Sequence, residues 1–209
     1  MQVLSPRLAC LALPLLLAGA AKAQTGLANM PIADILKHRE CLFESSVAGA
    51  EHARQYGYCS SLSMGLFDRI EFGGEANYMG TYLGKAKLQL FENKNSAFSV
   101  GFKGLRGKEV DPYVVGRLDG KGYRLHGGLW RTGGCVRPMV GLDYSVAPGW
   151  VGSTEYLGGP EGQSWTSFSY SPSALPGFCV TFAAGLGHGP LGRSVGIMNF
   201  VNLAYGFKI

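Results

Sequence analysis

The last fourteen residues of the chain read Gly196-Ile-Met-Asn-Phe-Val-Asn-Leu-Ala-Tyr-Gly-Phe-Lys-Ile209. Apolar side chains stand at Ile197, Val201, Leu203, Tyr205, Phe207 and Ile209, with Asn202, Ala204, Gly206 and Lys208 between them. Such alternation is the period of a strand with one greasy face. A soluble domain usually lets its terminus fray. A strand that stays amphipathic to its last residue reads as the closing strand of a membrane barrel, where lipid-facing and lumen-facing residues alternate. Leu203, Tyr205, Phe207 and Ile209 also have the form of the C-terminal signal that outer-membrane proteins present to their insertion machinery. That signal most often ends in Phe, and this chain ends in Ile209. The competing reading of the stretch is an edge strand in a soluble sandwich.

The other end of the chain favours export. Residues 1–23 carry Arg7, an apolar run from Leu8 to Ala21, and Ala21-Lys22-Ala23. A basic start, a short apolar core and a small-residue site make a cleaved secretory signal peptide. The run is too short for a spanning helix. Cleavage after Ala23 removes Arg7 and Lys22 and lowers the formal charge from +5 to +3. That charge, without a basic run, excludes nucleic acid as a partner class. Four cysteines remain: Cys41, Cys59, Cys135 and Cys179. Strand alternation puts Cys41 and Cys59 on opposite faces, which argues against a bridge between them. No Cys/His spacing suits zinc, so neither metal nor cofactor is expected.

The full sequence has 32 Gly, 11 Phe and 10 Tyr, and beyond the signal peptide no second long apolar segment. Short alternating runs between turn residues read as all-β. Twelve strands are expected, at about 41–48, 57–65, 69–77, 82–91, 96–105, 112–118, 122–131, 135–145, 150–157, 164–171, 178–187 and 195–209. Connections such as Leu66-Phe-Asp68, Glu92-Asn-Lys-Asn95 and Asp119-Gly-Lys-Gly122 carry tight-turn chemistry and all fall at one end. Those at the other end, including Arg106–Asp111, Gly158–Gln163 and Gly187–Ser194, are longer on average. An even strand count with tight turns at one end fits a single closed up-and-down transmembrane barrel over residues 41–209. Residues 24–40 become a periplasmic N-terminal segment, in which Ile32–Glu40 is the one stretch beyond the signal peptide that could form a short helix.

Alternation assigns a greasy outer face that includes Ile70, Phe72, Leu88, Phe98, Val140, Phe168 and Phe182. It assigns Arg69, Glu71, Glu75, Lys85, Lys87, Gln89, Lys103, Arg117, Arg124, His126, Arg137, Asp143 and Glu155 to the lumen. The first strand fits least well, since Ser45 would face lipid. Acids Glu40, Glu44, Glu71 and Glu75 gather on the first three strands. Bases Lys85, Lys87, Lys103, Arg117, Arg124 and Arg137 gather on the fourth to eighth. In a closed sheet the two groups would oppose each other across the lumen, and the excess of base predicts a weak anion preference.

No catalytic residue is expected. Of the histidines His38, His52, His126 and His188, none combines with a Ser and an acid by spacing, although Ser194 lies near His188. There is no G-x-S-x-G. Gly185-Leu-Gly-His-Gly-Pro-Leu-Gly192 lacks the Lys-Ser/Thr of a phosphate loop.

Three stretches resemble a known family. Gly26-Leu-Ala-Asn-Met-Pro-Ile-Ala-Asp-Ile-Leu36, Leu62-Ser-Met-Gly-Leu-Phe-Asp-Arg-Ile-Glu-Phe-Gly73 and Ser169-Tyr-Ser-Pro-Ser-Ala-Leu-Pro-Gly177 are similar to segments of YjbH-like outer-membrane proteins. The resemblance implies a single-chain outer-membrane barrel, in some relatives associated with exopolysaccharide production or export. The expected partners are outer-membrane lipid, the insertion machinery, and polysaccharide or small solutes. Three functions compete: a narrow pore or export-associated channel, a structural barrel with a salt-bridged filled lumen, and a secreted soluble β-sandwich that binds a ligand.

Overall fold

The structure is a computed structural model that describes residues 27, 29–51, 56–77, 80–106, 109–160, 162–188 and 196–209. The expected signal peptide, His52 and Ser194 lie outside the described residues. Twelve strands form one closed antiparallel barrel in sequence order, with β12 paired to β1. They are β1 (Glu40–Ala50), β2 (Gly57–Leu66), β3 (Ile70–Asn77), β4 (Tyr82–Glu92), β5 (Ser96–Arg106), β6 (Glu109–Asp119), β7 (Tyr123–Thr132), β8 (Cys135–Ala147), β9 (Trp150–Leu157), β10 (Gln163–Tyr170), β11 (Phe178–Gly187) and β12 (Ile197–Lys208). The terminal stretch closes the sheet. Cys41 pairs with Phe207, Phe43 with Tyr205 and Ser45 with Leu203. Closure leaves no unpaired edge, which an open sandwich would have.

The end where β1 begins and β12 stops is called here the near end. Its turns are tight except for the seven-residue connection between β10 and β11. Between β2 and β3 the two central residues Phe67 and Asp68 both have positive φ, 53° and 56°, the backbone of a two-residue hairpin whose twist matches the strands. At the far end one connection differs from expectation. β5 continues to Arg106 and β6 starts at Glu109, so the loop expected over Arg106–Asp111 is mostly strand. Arg69, expected in a strand, is an exposed residue of the 67–69 turn.

The partition of polarity is inverted relative to a soluble domain. Phe43, Val47, Leu62, Phe72, Leu90, Val140, Phe168 and Phe182 are exposed on the outer wall, whereas Lys87, Gln89, His126, Arg137, Asp143 and Glu155 are buried inside. Strand pleating alone sorts them, because neighbours in sequence point to opposite faces. The outer face also carries two aromatic belts, the feature that marks the two interfaces of a membrane barrel. Near the termini lie Tyr123, Tyr144, Trp150 and Tyr170, with the Trp150 and Tyr170 rings stacked at 4.5 Å. Tyr58, Tyr82 and Tyr156 ring the far end, where the register puts each on the outer wall. Ser45 does face outward. Its hydroxyl lies 3.2 Å from that of Ser60 on the neighbouring strand, so the polar groups satisfy each other.

The segment before β1 departs from expectation. Residues 31–37 form no helix, and they do not stand beneath the barrel. Met30, Ile32, Ala33, Ile35 and Leu36 are all buried, and they are buried inside the lumen. Pro31 lacks a donor and biases the residue before it toward extended backbone. Apolar residues at 30, 32, 33, 35 and 36 also surround the chain instead of forming one helical stripe.

Candidate functional site

The site is the lumen and the segment that occupies it. An irregular backbone at membrane depth is tolerated only where its N–H and C=O groups find partners. The barrel wall supplies them. Gln89 Nε2 and Ser99 Oγ donate to the Ala33 carbonyl at 3.1 and 2.6 Å. The Lys87 ammonium donates to the Asp34 carbonyl. Leu36 N–H donates to Glu71 Oε2 at 3.1 Å, and Met30 N–H to Glu155 Oε2 at 3.4 Å. Further along, the Asn29 amide donates to Gln163 Oε1 at 3.3 Å. Gln163 begins β10 at the far end, so the segment climbs the lumen as it runs back from β1 toward Asn29.

Two inward glycines make room for it. A Cβ on Gly65 would meet the Leu36 and Lys37 carbonyl oxygens at 2.2 Å each, and a Cβ on Gly141 would meet Met30 Sδ at 2.8 Å. At the near-end mouth His38 fastens the segment. Its ring stacks on Phe67 at 5.9 Å. Its backbone N–H donates to Asp68 Oδ1 at 2.8 Å, and its Nδ1 accepts from the Phe67 N–H at 3.3 Å.

The charges follow. Asp34 forms ion pairs with Arg117 and, at 3.5 Å, with Arg124. Arg117 also pairs with Asp119 at 2.9 Å, and Arg124 with Asp143 at 3.0 Å. Asp143 accepts in addition from the His126 imidazole at 3.1 Å, deep in the wall. On the other side Lys87 pairs with Glu71 at 3.3 Å and Lys85 with Glu44 at 3.9 Å. The expected opposition of acids and bases across the lumen is therefore replaced by contact. Glu71 and Lys87 are direct neighbours in the β3–β4 register, and Asp34 brings to the arginines a carboxylate that the strand pattern omits. The excess of bases over acids narrows with it.

Of the residues expected to line the lumen, Glu71, Lys87, Gln89, Arg117, Arg124 and Glu155 hold the segment. His126 and Asp143 buttress Arg124. Arg137 is buried, its side chain passing close to Gly159 in the far-end β9–β10 connection. Arg69 lies at the mouth. Glu75, Lys85 and Lys103 face a remaining hollow of about 400 Å³ in the far half of the lumen. Its floor is Leu27 and Asn29–Ile32, and its walls include Glu44, Tyr113, Trp165, Phe200 and Asn202. A second hollow, of about 420 Å³, opens at the near end and is lined in part by Arg117 and Arg124. Asp34, Ala33, Gly65, Gly141, Trp165 and His38 belong to the site and have no counterpart in the charge pattern of the strands. Inward glycines on otherwise full strands are the one sequence signal that points to a guest in the lumen.

No family model matches the chain, and no curated protein matches it. Solved structures do. The barrel is similar to the KdgM porin, with a TM-score of 0.56 at 12% identity, over 79% of this chain and 98% of that one. KdgM in complex with disordered oligogalacturonate gives a TM-score of 0.56 at 11% identity, over 81% of this chain and 99% of that one. The NanC porin gives 0.57 at 11% identity, over 80% of this chain and all of that one. At such identity the likeness is one of fold: a closed antiparallel barrel, shared with two bacterial porins.

Proposed function

We propose that the protein is an outer-membrane pore for small solutes, held shut by its own N-terminal segment. The observation that carries this reading is a hollow, charged lumen interrupted by a peptide that precedes the sheet and is held there by side-chain contacts. A structural barrel would fill its interior with wall side chains. Here the wall leaves cavities on both sides of Asp34, and the blocking element belongs to the chain outside the sheet. The apolar outer face with its two aromatic belts supports the outer membrane as the location. The porin neighbours support passage of solutes, and one of them is described with an oligogalacturonate. No arrangement in the lumen suggests chemistry. His126 is occupied by Asp143, and the Ser164–His188 hydroxyl–imidazole contact at 2.7 Å lies outside the lumen, beside Tyr156 of the outer wall, with no acid among its described partners.

The exopolysaccharide role implied by the YjbH-like resemblance is a second reading. It is favoured by one fact: the first of the three similar stretches is the lumen segment itself. A segment that vacates the lumen would open a path for a polymer strand.

Membrane fractionation with unheated gel migration tests the location, since a folded barrel resists detergent and migrates differently until boiled. Liposome swelling with small sugars then tests passage. Full-length chain is expected to swell liposomes slowly, and chain lacking residues 24–38 faster. Rates no greater than those of protein-free liposomes for both would set the pore reading aside, and equal raised rates would set aside its closure by the segment.

A further inference from the structure

The far-half hollow is more than unfilled space. Six charged side chains line it, and they balance: Glu44, Glu71 and Glu75 against Lys85, Lys87 and Lys103. Four of the six are used. Lys85 pairs with Glu44 and Lys87 with Glu71. Glu75 and Lys103 have no ion-pair partner among the described residues. The Lys103 ammonium is only 5.8 Å from the centre of the Trp130 ring. Glu75 stands on β3 and Lys103 on β5, with β4 between them, and Lys103 is directly opposite Lys85 across that gap. Two strand spacings and a two-residue offset along the strands separate their backbones by about 12 Å, and both side chains are long enough to reach into the space between. Glu75 accepts a hydrogen bond from the Cys59 thiol, a weak donor, so the cavity presents one anion and one cation without an ion-pair partner among the described residues, in an enclosure that is otherwise neutral.

A net anion gains little from such a site, because each basic group is offset by an acid. A neutral sugar would leave Glu75 with only the Cys59 thiol, a weak donor, and Lys103 with only the Trp130 ring. A solute that carries an ammonium and a carboxylate a few bonds apart answers both with charge-assisted hydrogen bonds. The aromatic wall supplies the third requirement. Trp165 and Phe200 meet edge to face at 6.4 Å on the opposite side of the lining, a surface for an apolar side chain. The volume, about 400 Å³, suits a small molecule.

We propose that this vestibule is a binding site for a small zwitterion of amino-acid or dipeptide size. Glu75 takes the ammonium, Lys103 takes the carboxylate, and Trp165 with Phe200 takes the side chain. The proposal deepens the solute-pore reading and rests on it for its physiological meaning, though the binding itself does not depend on conduction.

Calorimetric titration of the full-length folded chain in detergent tests it, with four probes: glycylphenylalanine, its N-acetyl form, its C-terminal amide, and galacturonate. Glycylphenylalanine is expected to bind saturably, and each capped form at least about tenfold more weakly, the loss of one charged hydrogen bond. Glu75→Gln should weaken the free dipeptide and leave the N-acetyl form unchanged. Lys103→Gln should weaken the free dipeptide and leave the amide unchanged. Both variants must keep the unheated gel shift, which separates loss of binding from loss of fold. Equal binding of free and capped dipeptide, tighter binding of galacturonate, no binding of any probe, or folded variants with undiminished dipeptide affinity would overturn the proposal. Because no bilayer is involved, a chain that binds the dipeptide yet never conducts refutes the pore and spares the site. A chain that conducts yet does not bind does the reverse.

Discussion

Asp34 and Arg117 form an ion pair inside the barrel, although one precedes the first strand and the other stands in the sixth. Arg124 approaches the same carboxylate at 3.5 Å. This contact ties the N-terminal segment to the wall opposite the point where it enters, and it is the natural place to loosen the plug. Replacing Asp34 by Asn keeps the shape and removes the charge. Two guanidinium groups then lose a partner in a partly water-excluded site, at a cost of roughly 1–3 kcal/mol. The variant is expected to expose its segment to protease in detergent at a dose that leaves the full-length parent intact, while the barrel itself survives. Equal resistance would mean that the ion pair does not hold the segment.

Gly65 is the steric counterpart of Asp34. The strand has no space for a side chain there, because the Leu36 and Lys37 carbonyl oxygens occupy the Cβ position. Gly65→Leu is therefore expected to expel the segment without harming the sheet, whose strands accept leucine readily. Protease mapping of the folded variant should find cleavage between residues 29 and 38. A segment that stays protected would show that the carbonyls and Gly65 are not in tight contact.

The barrel was legible in the sequence because a two-residue period is local information. The charges on β3 and β4 fall on the face opposite Phe72 and Leu88 whatever the rest of the chain does. Leu203, Tyr205 and Phe207 show the outer face of the closing strand directly. The lumen segment was not legible in this way. Met30-Pro-Ile-Ala-Asp-Ile-Leu36 has no strand period, and a mixed apolar stretch next to a barrel reads equally as a helix outside it. What fixes its place is a set of contacts with β2 to β9, each distant in sequence: Asp34 with Arg117, Ala33 with Gln89 and Ser99, Met30 with Glu155. Alternation assigns Glu71 and Lys87 to the lumen, but it carries no information on whether an inward charge meets water, a solute or a peptide.

The closing strand carries a prediction about assembly. Tyr205 and Phe207 stack at 6.0 Å on the outer wall, next to Phe43 and Cys41 of β1. Tyr205→Asp with Phe207→Asp puts two charges on the lipid face, where charge destabilises a barrel by an amount that depends on depth. The double variant is expected to accumulate outside the folded outer-membrane fraction. Normal amounts of folded protein in that fraction would show that this strand does not direct insertion.

The cysteines make a simple chemical prediction. Cys41, Cys59, Cys135 and Cys179 are all free. Cys41 is opposite Met64 and Cys59 opposite Ser46, so the first two stand several rungs apart and on opposite faces. Mass mapping without reductant should find every one of the four thiols alkylatable after unfolding. A Cys41–Cys59 bridge would contradict the register of the first hairpin.

Single-channel recording in planar bilayers tests the central claim most directly, by comparing the full-length chain with one lacking residues 24–38. The full-length protein is expected to be mostly closed. The shortened chain is expected to stay open and to prefer anions, because removing Asp34 leaves Arg117 and Arg124 with less carboxylate in the path. A folded, membrane-inserted shortened chain that conducts no better than the parent would contradict the account.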